Sequence, residues 1–254
     1  MANTRLKLHR GGIALFGAAV LVALLSSCSA SASASHLSRG CREGHRVALT
    51  FDDGPNPPET DQILDILQSH HARATFFDEG RSIEAHPEIV QRELALGMAV
   101  GSHSYAHGKD LPTLTRAEFA VDLQQAEAAL TPVLGYKPAL YRAPYGHTSQ
   151  NMLDELHAEG YVSIGWDVDS TDWSGATVDA VVSSVLDHVH PGAIVLMHDG
   201  GLGGGNADRS TTIAALPRII DGLRERGYSF VTVPEITGAP AVHGHERRHE
   251  CSAS

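Results

Sequence analysis

Two aspartates stand side by side in LTFDDGPNP, Leu49 to Pro57, at the end of an apolar run. Neighbouring side chains on a strand point to opposite faces, so Asp52 and Asp53 can serve one site only where the strand stops. Gly54-Pro55 marks such a stop, although Asp-Gly and Gly-Pro are also common in plain solvated turns. Further along, GSHSYAH sets His103 and His107 four residues apart, and on a helical turn both imidazoles would lie on one face and share a metal. Two histidines and a carboxylate are a familiar zinc set that leaves positions open for water and substrate. His-x-x-x-His alone arises by chance on surface helices; the aspartate pair gives it weight. YRAPYG supplies Arg142, which can orient a carboxylate or can be a surface residue before a turn. WDVDSTDW holds Asp167, Asp169 and Asp172 between Trp166 and Trp173. Indoles beside acids suit a sugar ring, whose apolar face stacks while its hydroxyls hydrogen-bond; buried packing is the ordinary alternative. His198 closes the apolar run of AIVLMHD, where Asp169 on the preceding strand would raise its pKa and make it an acid.

These residues need elements to carry them. RVALTF, ATFFDEG, MAVGSHS, ALYRAP, YVSIGWDVD, AIVLMHD and SFVTVPEI are short apolar or β-branched runs and read as strands. Between them TDQILDILQSH, PEIVQRELALG, RAEFAVDLQQAEAALTPVLG, QNMLDELHAEG, TVDAVVSSVLDHV and TIAALPRIIDGLRERG repeat apolar residues every three to four positions. Gly97, Gly135, Gly160 and Gly227 stand where C-terminal caps belong. Seven strands alternating with helices imply a parallel α/β sheet, either barrel-like or doubly wound. The chemically capable residues gather at the C-terminal ends of the strands, the rim on which βα barrels build sites. The glycine-rich DGGLGGGNADRS lacks the Lys-Ser/Thr ending of a phosphate-binding loop and reads as a long connection.

The chain has 254 residues, of which 42% are hydrophobic and 19% charged, enough for one sizeable globular domain. A formal net charge of −11 argues against a broad nucleic-acid footprint. At the N-terminus Arg5, Lys7 and Arg10 precede GGIALFGAAVLVALL, too short for a comfortable span and typical of an export signal. LSSC resembles a bacterial lipobox that would leave Cys28 lipidated; cleavage within SASASA, releasing the protein, is the alternative. Expected boundaries are a signal over 1–27, a Ser/Ala-rich tether over 28–44, a catalytic domain over 45–237 and a tail over 238–254. Export into an oxidising compartment would permit a disulfide between Cys41 and Cys251.

The ordered set TFDDGP, HSYAH, RAPY, DSTDW and LMH resembles the polysaccharide deacetylases of carbohydrate esterase family four, over about Val47 to Ile236. The resemblance implies a distorted (β/α)7 barrel as a single catalytic domain. It implies Asp52 as general base and Asp53, His103 and His107 as ligands of a divalent metal, Zn2+ first and Co2+, Ni2+ or Mn2+ after it. Arg142 would hold Asp52, with Ser104 supporting the histidine loop. The Tyr145 N–H would stabilise an oxyanion, Pro144 would shape that turn, and Asp169 would tune His198 as general acid. Trp173 and Leu196 would line the acetyl pocket. Ala143 replaces the proline usual in the arginine motif and removes no functional group. The implied substrate is an N-acetylglucosamine polymer, peptidoglycan or chitin-type, cleaved by a monomer at the cell membrane or outside the cell. An acetylxylan esterase with the same site, and a non-catalytic carbohydrate-binding lipoprotein, are the alternatives. The latter would expect loss of Asp52 or His198, and both are present.

Overall fold

A computed structural model describes residues 1–2, 36–205 and 207–244. The chain divides into units Met1–Ala32 and Ser33–Ser254. Of the first only Met1 and Ala2 are described, so the expected signal and Cys28 lie outside the described residues, as does Cys251.

The centre of the second unit is β2 (Arg46–Gly54), buried from Val47 onward. Such a strand needs apolar residues on both faces, which is why RVALTF runs rather than alternates. β2 pairs in parallel with β3 (Ala74–Asp78) on one side and with β8 (Ile194–His198) on the other. The path continues through β4 (Ala99–Ser102), β5 (Leu140–Tyr141) and β6 (Val162–Ile164), ending at β1 (His36–Leu37); on the far side β8 pairs β7 (Val168–Asp169). A two-residue β9 (Ser229–Phe230) adds to the start of β2.

This order explains the curvature. β6 and β7 sit near opposite ends of the strand path yet are joined by Gly165, Trp166 and Asp167 alone. That link reaches only about 14 Å at full stretch, so the sheet must curl until its ends nearly meet. β2 to β8 are thus the seven staves of a distorted (β/α)7 barrel. The staves differ from the expected seven in two places. YVSIGWDVD divides into β6 and β7, and Asp167 fixes the crossing by accepting from the Ile194 N–H at 2.9 Å. SFVTVPEI contributes only β9, because Thr232 and Glu235 form a capping box that starts α8 (Val233–Thr237), with Pro234 in its first turn.

The helices follow the apolar periodicity within a residue or two: α1 (Glu59–Ser69), α3 (Pro87–Ala95), α4 (Arg116–Leu134), α5 (Gln150–Ala158), α6 (Val178–His188) and α7 (Ser210–Glu225). A short α2 (Gly80–Ala85) precedes α3 and was not signalled by periodicity. α4 begins with a Thr115–Glu118 capping box and ends at Gly135, whose φ of 75° is left-handed.

The packed unit exceeds the expected 45–237 at both ends. β1 pairs with Ser163 and Ile164, Gly40 N–H donates to Gly192 O at 2.8 Å, and Cys41 N–H donates to Ile236 O at 2.8 Å. Beyond α8, Ala239 is buried and Ala139 N–H donates to Ala241 O at 3.1 Å. An uncovered β6 would leave a row of backbone groups unpaired, and β1 supplies their partners. Cys41 is buried and disulfide-bonded; the other cysteines lie outside the described residues.

Alternation along β2 sorts the core. Val47, Leu49 and Phe51 face outward into the cluster with Leu64, Val185 and Ile219 on the surrounding helices. Ala48 faces the barrel interior, packed against Phe77, Leu140 and Ile194 and closed below by Val233 and Ile236 of α8. Thr50 and Asp52 follow on the same interior face, and there the polar chemistry begins.

Candidate active site

Asp52 and Asp53 meet in one site because β2 bulges between them. Against β3 the register runs Asp52 to Phe77 and then Gly54 to Asp78, leaving Asp53 unpaired with a left-handed φ of 75°. Both carboxylates then approach one imidazole: His103 Nε2 lies 3.9 Å from Asp52 Oδ2 and 3.3 Å from Asp53 Oδ1.

Their surroundings differ. Asp52 Oδ1 accepts from Arg142 Nη1 at 2.7 Å, and the same nitrogen donates to Thr50 Oγ1 at 2.7 Å. Arg142 is wholly buried, with Nη2 on Gly165 O at 3.0 Å and its guanidinium 4.1 Å from the Phe77 ring centroid. Four contacts in a closed space leave the guanidinium one orientation. Asp53 Oδ1 instead faces His103 Nε2 and His107 Nε2, each at 3.3 Å, and is buried without a hydrogen bond. An orphaned buried carboxylate oxygen between two imidazole nitrogens suits a cation. Among the described residues Asp53, His103 and His107 are the one such group able to hold a metal, with ligand atoms within 4.8 Å of one another.

The two histidines are not on a helix. They lie on a turn in which Ser104 (φ 68°) and His107 (φ 52°) are left-handed, and Ser104 Oγ accepts from His107 N–H at 2.9 Å. The turn brings the ring centroids to 5.0 Å, a proximity the four-residue spacing anticipated through the wrong geometry. His103 Nδ1 contacts Arg142 O at 2.9 Å; a carbonyl only accepts, so Nδ1 carries hydrogen and Nε2 points at the carboxylates. Burial alone would depress the His103 pKa, but Asp52 and Asp53 outweigh it and push it up to about 9. Burial, reinforced by the His103 charge, takes His107 down to about 4.

On the opposite side His198 Nδ1 lies 2.8 Å from Asp172 Oδ1, while Asp172 Oδ2 accepts from the His198 N–H and from Thr212 Oγ1, both at 2.8 Å. Asp172, not Asp169, is therefore the carboxylate behind His198. After β7 the chain turns at Thr171 (φ 61°) into a 3₁₀ turn, Asp172–Ser174, which swings back over the end of β8. Asp169 stays behind and caps that turn, accepting from Thr171 N–H at 2.7 Å and from Trp173 Nε1 at 3.3 Å. Burial opposes the charge on His198, but the Asp172 hydrogen bond and charge, with Asp52 and Asp53, hold its pKa above the ordinary histidine value. Leu196 is buried two residues before His198, on the same face of β8. Pro144 is buried, and Tyr145 adopts a φ of 59° with its ring 4.5 Å from that of His107. Trp173 is 60% exposed at the rim.

The family description Polysaccharide deacetylase matches residues 39–164, ending before Asp172 and His198. A peptidoglycan-N-acetylglucosamine deacetylase of Bacillus cereus is 36% identical over 190 residues, covering 75% of this chain and 67% of its own. A chitooligosaccharide deacetylase of Sinorhizobium fredii is 37% identical over 195 residues, 74% of this chain and 90% of that one. The chain belongs to the polysaccharide deacetylase family. The solved structure of a peptidoglycan N-acetylglucosamine deacetylase, bound to 4-naphthalen-1-yl-N-oxidanyl-benzamide, superposes with a TM-score of 0.77 at 32% identity. That likeness covers 82% of this chain and 95% of the other.

Around the centre of this polysaccharide deacetylase lie residues that sequence reasoning missed. Arg209 donates through Nε to Gly200 O at 2.7 Å and brings Nη2 to 3.7 Å from Asp53 Oδ2. Thr60 Oγ1 donates to Asp199 Oδ2 at 2.5 Å. Asp78 and Glu79 are buried, and burial pushes both carboxyls up to about 7. Long sequence separation hid these contacts: Arg209 follows Asp53 by more than a hundred residues, in a loop of no periodicity.

Proposed function

We propose that the chain is an exported, metal-dependent N-deacetylase that hydrolyses N-acetyl groups of N-acetylglucosamine polymers, peptidoglycan or chitin-type, to acetate and a free amino sugar. The observation that carries this reading is the pairing of opposed functions across one cation site: Asp52 with Arg142 on one side, His198 with Asp172 on the other. The names of the Bacillus cereus and Sinorhizobium fredii relatives support the substrate class. Asp53, His103 and His107 would hold the cation, with Zn2+ the first choice for two histidines and a carboxylate. When bound, it supplies positive charge that polarises the acetyl carbonyl and acidifies water.

The chain's own residues do the rest. Asp52, with Oδ1 held by Arg142, keeps Oδ2 toward the site and takes a proton from the attacking water. The Tyr145 backbone N–H donates to the developing oxyanion. His198 presents Nε2, since Nδ1 is engaged by Asp172, and the Asp172 hydrogen bond and charge favour its protonated form. That proton goes to the amide nitrogen as the carbon–nitrogen bond breaks. Pro144 shapes the turn that carries Tyr145, while Leu196 and Trp173 border the acetyl methyl.

The N-terminal signal supports export, with Cys28 as lipid anchor. Among the described residues no helix is long and apolar enough to cross a membrane. Intact mass of membrane-fraction protein tests the anchor: absence of a lipid adduct favours cleavage and release. Acetate release from peptidoglycan, N-acetylglucosamine oligomers and acetylated xylan tests the activity. Release from the first two is expected, and cleavage of acetylated xylan alone would put the esterase in its place.

A further inference from the structure

Trp173, at the border of the proposed acetyl pocket, is held by Asp169, a residue to which the proposed reaction gives no role. The Trp173 side chain is 60% exposed, whereas the other tryptophan, Trp166, is half-buried. The exposed indole is nevertheless anchored by its edge. Nε1 lies 3.3 Å and 3.4 Å from the two carboxylate oxygens of Asp169, four residues earlier. The same carboxylate accepts from Thr171 N–H at 2.7 Å, closing a turn that puts Thr171 in the left-handed region without a glycine. The Asp169 backbone is fixed in turn, its carbonyl accepting from Ser184 Oγ of α6 at 2.8 Å. No aromatic ring among the described residues stacks on the Trp173 faces. The residue between turn and indole is Asp172, which bonds His198, so the indole's neighbour in the chain is tied to the proposed acid.

We propose that Asp169 is a positioning residue for Trp173, holding the indole as a ready face for a sugar ring of the polymer beside the scissile acetyl. This rests on the reading of the substrate as an N-acetylglucosamine polymer. A pyranose offers axial C–H groups to an aromatic face, and the Nε1 edge must point elsewhere for that face to stay open. A free tryptophan rotor would lose its mobility on binding, whereas one pinned beforehand does not. Removal of the pin therefore weakens binding and leaves the chemical step alone.

Asp169→Ala is expected to raise KM for N-acetylglucosamine oligomers about 3- to 10-fold with kcat within about twofold. Asp169→Asn still offers an acceptor oxygen to Thr171 and Trp173, and should restore most of the KM. The pH profile of kcat, which reports the acid, should be the same in all three proteins. In a Trp166→Phe background the remaining indole reports directly: its fluorescence anisotropy should fall in Asp169→Ala and recover in Asp169→Asn. An unchanged KM together with unchanged anisotropy overturns the proposal. A fall in kcat with a shifted pH profile at constant KM also overturns it, returning Asp169 to His198. If wild type cleaves no N-acetylglucosamine oligomer, the substrate reading fails by itself, while anisotropy still decides whether Asp169 holds the indole.

Discussion

At the scale of single residues, the site separates two aspartates that are adjacent in sequence by giving them different partners. A buried arginine on Asp52 and two imidazoles on Asp53 give the two carboxylates different surroundings, which suits the proposed division into base and ligand. His103 and His107 are likewise unequal. With its pKa near 9, His103 carries a second proton in the metal-free protein at pH 7.5, whereas His107, near 4, does not. Zn2+ uptake at pH 7.5 should therefore release about one proton, not two. Calorimetry in buffers of different ionisation enthalpy counts it. A second expectation concerns Asp172. Its charge and hydrogen bond hold the His198 pKa up, so Asp172→Asn should lower that pKa and move the alkaline limb of kcat to lower pH. An acid deprived of its orienting carboxylate should also lose about a hundredfold or more in rate. Rate–pH profiles at equal metal content read both effects. Five ordered motifs made Asp52, Asp53, His103, His107, Arg142 and His198 legible from sequence. Asp172 was not, because three aspartates lie within six positions and only the turn at Thr171 decides which one crosses to β8.

At the scale of elements, apolar periodicity located six helices to within a residue or two, since each buries one stripe against the sheet. Period-two reasoning was weaker. It did not show the break between β6 and β7, because Gly165-Trp166-Asp167 is as apolar and extended in sequence as the strands it joins. β1 was invisible for another reason: two residues carry no period, and only the exposed edge of β6 gives them a role. The loop after β8 also has its own constraint. A Cβ on Gly200 would stand 1.8 Å from the Asp53 carbonyl oxygen, and backbone on both sides cannot yield as a side chain would. Gly200→Ala should cost about 1–3 kcal/mol, a fall in Tm of roughly 2–12 °C. Because the displaced backbone is that of Asp53, metal affinity should fall with it. Thermal unfolding and chelator competition measure the two, and intact metal affinity would mean that the loop gives way instead.

At the scale of the whole molecule, the barrel concentrates acid where its strands end. Asp78 sits buried in the interior beside Glu93, and burial raises its pKa from 3.8 to about 7. A raised carboxyl favours the folded state fully below its unfolded pKa, and that contribution is lost as pH rises through the folded value. Native stability should thus decline between about pH 4 and pH 8 on account of this group. Asp78→Asn removes this group's share of the dependence and leaves those of Glu79, Glu93 and Asp199, so the variant should gain on wild type at pH 8 relative to pH 5 in denaturant melts. A constant difference between the two pH values would mean that Asp78 ionises without penalty. The fold therefore accepts a loss of stability at neutral pH to keep acids beneath the rim.

Everything proposed for this site depends on Asp52 performing chemistry beside a cation that Asp53 holds. Acetate release from an N-acetylglucosamine oligomer by wild type and Asp52→Asn, with bound metal determined in the same samples, tests that division of roles. Asp52→Asn should keep its metal and lose about a hundred- to ten-thousand-fold in kcat/KM, while Asp53→Ala should lose metal and activity together. Metal lost equally from both variants, or an Asp52→Asn enzyme as active as wild type with its metal in place, would contradict it.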